Sequence, residues 1–181
     1  MIACYVSGAG MFAGTATHDF KIAVIEWMES SGTGFDTRYR HYRKQFPELE
    51  PTRLARLVCD PIEYYDKEWL GRAGRGDTQD GAPLARFVHE RDAEFRAAAQ
   101  VAIFCFDEAG IGSGVNVMRF VHARKPVLGF YSADPARRRV NLTNVLQLAL
   151  ESPDWVKLAE YRTPRDVIGR LEKWLPALMN R

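Results

Sequence analysis

Cysteine is scarce in this chain: Cys4, Cys59 and Cys105 are the only three in 181 residues. An odd number, without metal-like or paired spacing, excludes a zinc framework or a disulfide scaffold as the basis of the fold. Each lies in a strand-like apolar run, so three buried, reduced thiols in a cytoplasmic protein are expected. An excess of charge of one sign is also lacking. Lysine and arginine number 25 against 23 aspartates and glutamates, a net of +2. That excess is too small to make nucleic acid or an anionic membrane the main partner. No apolar run approaches the roughly 18 residues of a membrane span. The opening Met1-Ile2-Ala3-Cys4-Tyr5-Val6 reads as a strand from the start, with no basic leader or cleavage site before it. His18, His41 and His122 form no cluster with acids, and no metal or organic cofactor is implied.

What remains is an ordinary globular composition, 46% hydrophobic and 27% charged, at the length of one domain. Apolar residues 2–7 run into the glycine loop Ser7-Gly8-Ala9-Gly10-Met11-Phe12-Ala13-Gly14. Helical spacing follows over 17–30, and Ser31-Gly32-Thr33-Gly34 ends it. The basic, aromatic run Arg38-Tyr39-Arg40-His41-Tyr42-Arg43-Lys44 suits a short helix before Pro47, read first as a solvated basic face and otherwise as a lid over a binding crevice or an interface. Residues 54–59 suit a second strand, stopped near Pro61. Residues 72–81 (RAGRGDTQDG) read as a glycine-rich polar loop, so 36–83 reads as an irregular insertion. Beyond it the pattern is regular: helix over 83–98, strand over 100–106, helix over 113–123, strand over 126–131. A short helix over 141–150 and a fifth strand over 155–160 follow. Thr163 and Pro164 then open a final helix reaching about residue 179. Strands alternating with helices predict one α/β domain, a doubly wound, mostly parallel five-stranded sheet in flavodoxin-like order between two helical layers.

In that order the first and third strands flank the point where the sheet reverses, and ligands bind there. The loops that follow them are the two glycine-rich ones, after Ser7 and after Asp107. Gly110-Ile111-Gly112-Ser113-Gly114 leads directly into a helix, where free amides attract phosphate. It is neither a dinucleotide fingerprint nor a P-loop. Glycines also turn tight strand–helix corners, so the loop alone leaves both roles open.

The helix motif Val88-His89-Glu90-Arg91-Asp92, the strand after it, and the run Ile111-Gly112-Ser113-Gly114-Val115-Asn116 resemble the 2′-deoxynucleoside 5′-monophosphate N-hydrolases of the nucleoside deoxyribosyltransferase superfamily. Tyr5-Val6-Ser7-Gly8 is similar to that family's opening strand. The likeness covers the first strand and residues 88–131, while 36–83 does not align. The resemblance implies a deoxyribosyltransferase-like fold, a homodimer, and a pocket for a small nucleotide or nucleoside. Asp92 matches the active-site carboxylate that orients nucleophile and sugar, and Tyr5 matches a tyrosine of the pocket wall. Ser7 and Gly8 belong to the opening loop, and Gly112 and Gly114 match phosphate-side glycines. Gly110 stands where the family has a phosphate-binding serine, with Ser113 near enough to substitute. Asn141 falls in a segment close to the active site in relatives, after Arg137-Arg138-Arg139, which suits either a phosphate or solvent. Asn116 stands where the family carries its nucleophilic glutamate.

That last difference bears on chemistry. Cleaving a deoxyribose N-glycosidic bond develops positive charge at C1′, which a glutamate stabilises and traps. A neutral, shorter amide does neither, and losing such a carboxylate raises a barrier by roughly 4 kcal/mol or more. The expected function is N-glycosidic cleavage with an altered acid set, in which Asp92 activates water or Asp107 or Glu108 swings in. The alternative is a catalytically silent nucleotide-binding sensor or interaction protein, and behind it a vestigial pocket with the insertion carrying an interaction. Structural roles stand beside each assignment: Asp92 as an ion-paired surface carboxylate, Asn116 as a helix cap, His89 as a lone structural histidine.

Overall fold

The apolar opening forms strand β1 (Ile2–Ser7), and helix α1 (Thr15–Ser31) follows. The computed structural model describes residues 1–8, 14–59 and 81–179. In α1, Phe20, Val24, Ile25 and Met28 recur at helical spacing and are fully buried, the stripe a core-facing helix needs. Gly32 ends it in the left-handed conformation at φ 67°, its amide returning to the Met28 carbonyl.

The second strand, β2, is Gly34–Asp36, only three residues long. Asp36 closes it and caps helix α2 (Thr37–Gln45), its carboxylate accepting the Arg38 and Tyr39 amides. Residues 54–59, expected as the second strand, are instead the body of helix α3 (Pro51–Cys59). The buried residues Leu54, Ala55, Val58 and Cys59 sit at i, i+1, i+4 and i+5, which is one face of a helix. Two helices thus replace the irregular start of the 36–83 segment. The glycine-rich stretch 72–80 lies outside the described residues, and Gly81 already belongs to a helix.

From there the expected alternation holds. Helix α4 (Gly81–Ala98), strand β3 (Val101–Cys105), helix α5 (Ile111–His122) and strand β4 (Val127–Ser132) follow in turn. A single 3₁₀ turn (Pro135–Arg137) precedes helix α6 (Leu142–Glu151), strand β5 (Val156–Tyr161) and helix α7 (Pro164–Met179). In the first turn of α7, Asp166 accepts the Arg162 and Thr163 amides.

The sheet has five strands, all parallel, in the order β2-β1-β3-β4-β5. This is the flavodoxin-like doubly wound order. Helix α1 packs with α3 and α7, and α2 packs with α4, giving the helical layers of a three-layer α/β fold. All five residues of β3 are buried, as they must be where both faces of a parallel sheet are covered. The three thiols are free and buried, and burial pushes those of Cys4 and Cys105 up to about 12. Cys59 sits on a helix rather than in the expected strand. Among the described residues no helix is long and apolar enough to cross a membrane.

Candidate functional site

The sheet reverses between β1 and β3, where Tyr5 pairs with Ala102 and Ser7 with Phe104. Both strands point their C-terminal ends at one crevice, and the two loops leaving them are bound to each other. The Ser113 hydroxyl donates to the Gly8 carbonyl at 3.3 Å. Glu108, just past β3, accepts the Gly14 amide at 2.5 Å and the Thr17 hydroxyl at 2.7 Å. That carboxylate caps α1 from another part of the chain, since its own N-cap, Gly14, has no side chain to do so.

Tyr5 is 1% exposed and packs against Phe104 and Phe120. The Arg38 guanidinium lies over its ring, 4.7 Å from the centroid. Burial holds the Tyr5 phenol protonated above its usual range, helped by the charge of Asp92 and opposed by Arg38 and Arg96. These charges share one neighbourhood although they come from β1, α2 and α4. Asp92 pairs with Arg91 at 3.2 Å and keeps 16% of its side chain exposed. One turn further along α4, Arg96 donates to the Asn116 Oδ1 at 3.0 Å.

Asn116 is therefore not a helix cap. Helix α5 begins at Ile111 with Gly110 as its N-cap, which places Asn116 inside the helix, facing α4. A hydrogen bond from a charged donor is worth about 1.5–3 kcal/mol, enough to fix the amide with its oxygen toward Arg96.

Arg38 belongs to the basic run read from sequence first as a solvated helix and otherwise as a lid or interface, with no role assigned to this residue itself. It donates to the Val6 carbonyl and stands 3.7 Å from Asp36. Asp36 is fully buried and also accepts the Val6 amide at 2.8 Å. Burial works against the charge on Arg38, but Asp36, Tyr5 and Asp92 outweigh it and hold the guanidinium more firmly protonated than usual. The basic run 38–44 thus contributes one arginine to the crevice wall rather than a solvated face. Its signal was the aspartate two residues earlier, a capping residue that also holds a cation.

The remaining expected residues are distributed as follows. Ser7 is buried at the end of β1. Gly110, Gly112 and Gly114 occupy the start of α5, and a side chain built at any of them would meet nothing within 4 Å. Packing does not demand glycine there, so the amides of the first turn stay approachable. Ser113 has its proton on Gly8 and is not a free donor in place of the missing serine. Asn141 is turned to its own helix: it caps α6 by accepting the Thr143 amide at 2.9 Å, and is exposed.

Asp107 is not free to swing in. Its two oxygens accept the Ser132 amide and the Tyr161 hydroxyl. Glu108 is held by α1, with Arg139 at 3.4 Å on its other oxygen. Among the described residues no group of three or more His, Cys, Asp or Glu side chains could hold a metal ion. Asp92 is by contrast partly exposed and paired with Arg91, and its charge reaches Arg38.

No family model matches the chain, and no curated protein is significantly similar to it.

Proposed function

We propose that the crevice at the ends of β1 and β3 binds a nucleoside 5′-monophosphate or a related phosphorylated sugar, and that Asp92 promotes cleavage of its N-glycosidic bond. What supports this reading is that the charges of Asp92 and Arg96 both act on Tyr5 and that Arg96 holds Asn116, which relates three residues far apart in sequence beside the reversal point of the sheet. The phosphate lies toward Gly110 and Gly112 at the open start of α5, with Gly114, whose amide is bound to the Gly110 carbonyl, leaving space beside it. The sugar lies toward Asp92 and Asn116, with Tyr5 and Ser7 on the β1 side.

One oxygen of Asp92 carries the Arg91 ion pair, and the other serves as general base. It takes a proton from a water whose oxygen bonds to C1′ as the C1′–N bond breaks. The electron pair of that bond leaves with the base, which gains a proton from solvent. The products are free base and the sugar phosphate, with inversion at C1′. Asn116 supplies no negative charge; its amide nitrogen donates to a sugar or base oxygen.

The Arg96–Asn116 bond favours a second reading. It puts a guanidinium near the centre where positive charge develops, which suits an anionic ligand and opposes an oxocarbenium-like state. A silent nucleotide-binding protein has the same phosphate site without turnover.

Both are tested by chromatographic detection of free base after incubation with ribo- and deoxyribonucleoside 5′-monophosphates, beside thermal unfolding with each nucleotide. Base release that disappears in Asp92→Ala is the expected result. Stabilisation by a nucleotide without base release selects the silent binder. Neither release nor stabilisation overturns both.

A further inference from the structure

A second concave feature lies away from the crevice, in the groove between α4 and α5 toward their C-terminal ends. It encloses about 280 Å³, is floored by Phe120 and small alanines, and is walled by His89, Arg96, Arg119 and Lys125. No acidic residue lines it. Three of those walls differ in what they have left to give. The Lys125 ammonium is bound to the Arg96, Ala97 and Ala99 carbonyls at 2.7–3.0 Å. It thereby neutralises the negative end of α4, which would otherwise repel an anion. Arg119 donates one nitrogen to His89 Nδ1 at 3.2 Å; with that nitrogen as acceptor, the imidazole proton sits on Nε2 and is a further donor. Arg96 is 8% exposed, uses Nη1 on Asn116 and also lines the groove.

We propose that this groove is a distinct binding site for a phosphate-type oxyanion, free or as the phosphate group of a small ester, held by Arg96, Arg119 and His89. Two arginines and a histidine among the lining residues, with no carboxylate among those described, suit a tetrahedral dianion. The apolar floor suits the carbon skeleton of an ester. Arg96 belongs to both places: its hydrogen bond fixes Asn116, and the same side chain lines the groove. An anion in the groove draws on the same guanidinium and so alters its hold on Asn116. The groove therefore reports its occupancy to the crevice through one side chain.

The test is titration of inorganic phosphate into the full chain at constant ionic strength, followed by calorimetry and by the Asn116 side-chain amide signal, assigned from its loss in Asn116→Asp. Two variants separate the sites. Gly112→Asp puts a negative charge in the first turn of α5, where there is open space for it, and blocks phosphate at the crevice. Arg119→Leu removes a groove donor and leaves Arg96 in place. The expected result is saturable binding that survives Gly112→Asp, weakens at least about tenfold in Arg119→Leu, and moves the Asn116 signal in the Gly112→Asp background. Binding lost in Gly112→Asp and unchanged in Arg119→Leu assigns phosphate to the crevice and overturns the groove while leaving the proposed function standing. Absence of saturable binding to any form overturns the groove as well. Nucleotide turnover without groove binding, or the reverse, tells failure of one proposal from failure of the other.

Discussion

Asp107 is buried beneath the end of β3, its Oδ1 accepting the Ser132 amide at 2.6 Å and its Oδ2 the Tyr161 hydroxyl at 2.5 Å. Burial raises its carboxyl above the ordinary 3.8, and the Tyr161 and Ser132 hydrogen bonds pull back only part of the way. The folded chain thus holds this proton more tightly than the unfolded chain does. Stability from the site is complete below the ordinary aspartate value and declines as pH rises through the raised native one, because the unfolded state then gives up its proton first. Replacing Asp107 by asparagine keeps an acceptor and removes the titration. In urea unfolding, the stability of the native chain relative to Asp107→Asn should therefore fall as pH rises above the ordinary aspartate value. A relative stability that rises with pH would mean that the ionised form is the favoured one. Asp92 is the contrasting carboxylate: partly exposed and tied by one oxygen to Arg91, it keeps the solvent access that chemistry requires. Two aspartates flanking the same strand have opposite fates because only one is covered by β4 and β5.

Among the described glycines, Gly129 of strand β4 has the least room around it. A side chain at Gly129 would come within 2.4 Å of the Phe106 ring and 2.5 Å of Leu158, so neither neighbour has room. Gly129→Ala should cost about 1–3 kcal/mol, the usual range for overpacking a full core, read as a lower urea midpoint with an unchanged slope. A neutral Gly129→Ala would show that Phe106 and Leu158 can move apart. The chain from α4 onward was legible in sequence because each strand and helix there is long enough to show its period. The region before it was less so, for physical reasons. Strand β2 has three residues, too few for alternation, and its register comes from pairing with β1. The run Leu54 to Cys59 is short and apolar, so strand and helix compete, and only the i, i+4 pairs Leu54–Val58 and Ala55–Cys59 favour the helix. In the site, Tyr5, Asp92 and Asn116 were nameable because each sits in a recognisable motif. The partners Arg38 and Arg96 were not, since their roles exist only once α2, α4 and α5 are packed together. Asn141 and Ser113 look like ligand groups in sequence, but backbone partners occupy both: Asn141 takes the Thr143 amide by local turn geometry, and Ser113 reaches the distant Gly8 carbonyl, a contact that exists only once the fold is formed.

At the scale of the whole molecule, the crevice is held shut on one side by a single carboxylate. Glu108 reaches from the end of β3 to the start of α1, and its other oxygen faces Arg139 beyond β4. The pair with Arg139 contributes little, because that arginine is 73% exposed. The contacts with Gly14 and Thr17 contribute more, since they satisfy a helix N-terminus with a charge that is itself 9% exposed. Glu108→Gln keeps the shape and a neutral acceptor, and should lower stability by about 1–2 kcal/mol. The same charge stands two residues before Gly110, where the proposed function puts a phosphate. Removing one like charge from a phosphate's surroundings is worth about 1 kcal/mol at a dielectric between those of protein and water, or roughly a fivefold gain in affinity. The two effects have opposite signs, which makes the variant informative. Glu108→Gln should unfold at a lower temperature yet be stabilised more strongly than the native chain by nucleoside monophosphates, with no such gain for uncharged nucleosides. A loss of stability with no change in affinity would leave Glu108 as a strut between β3 and α1, and would move the phosphate away from that end of the crevice.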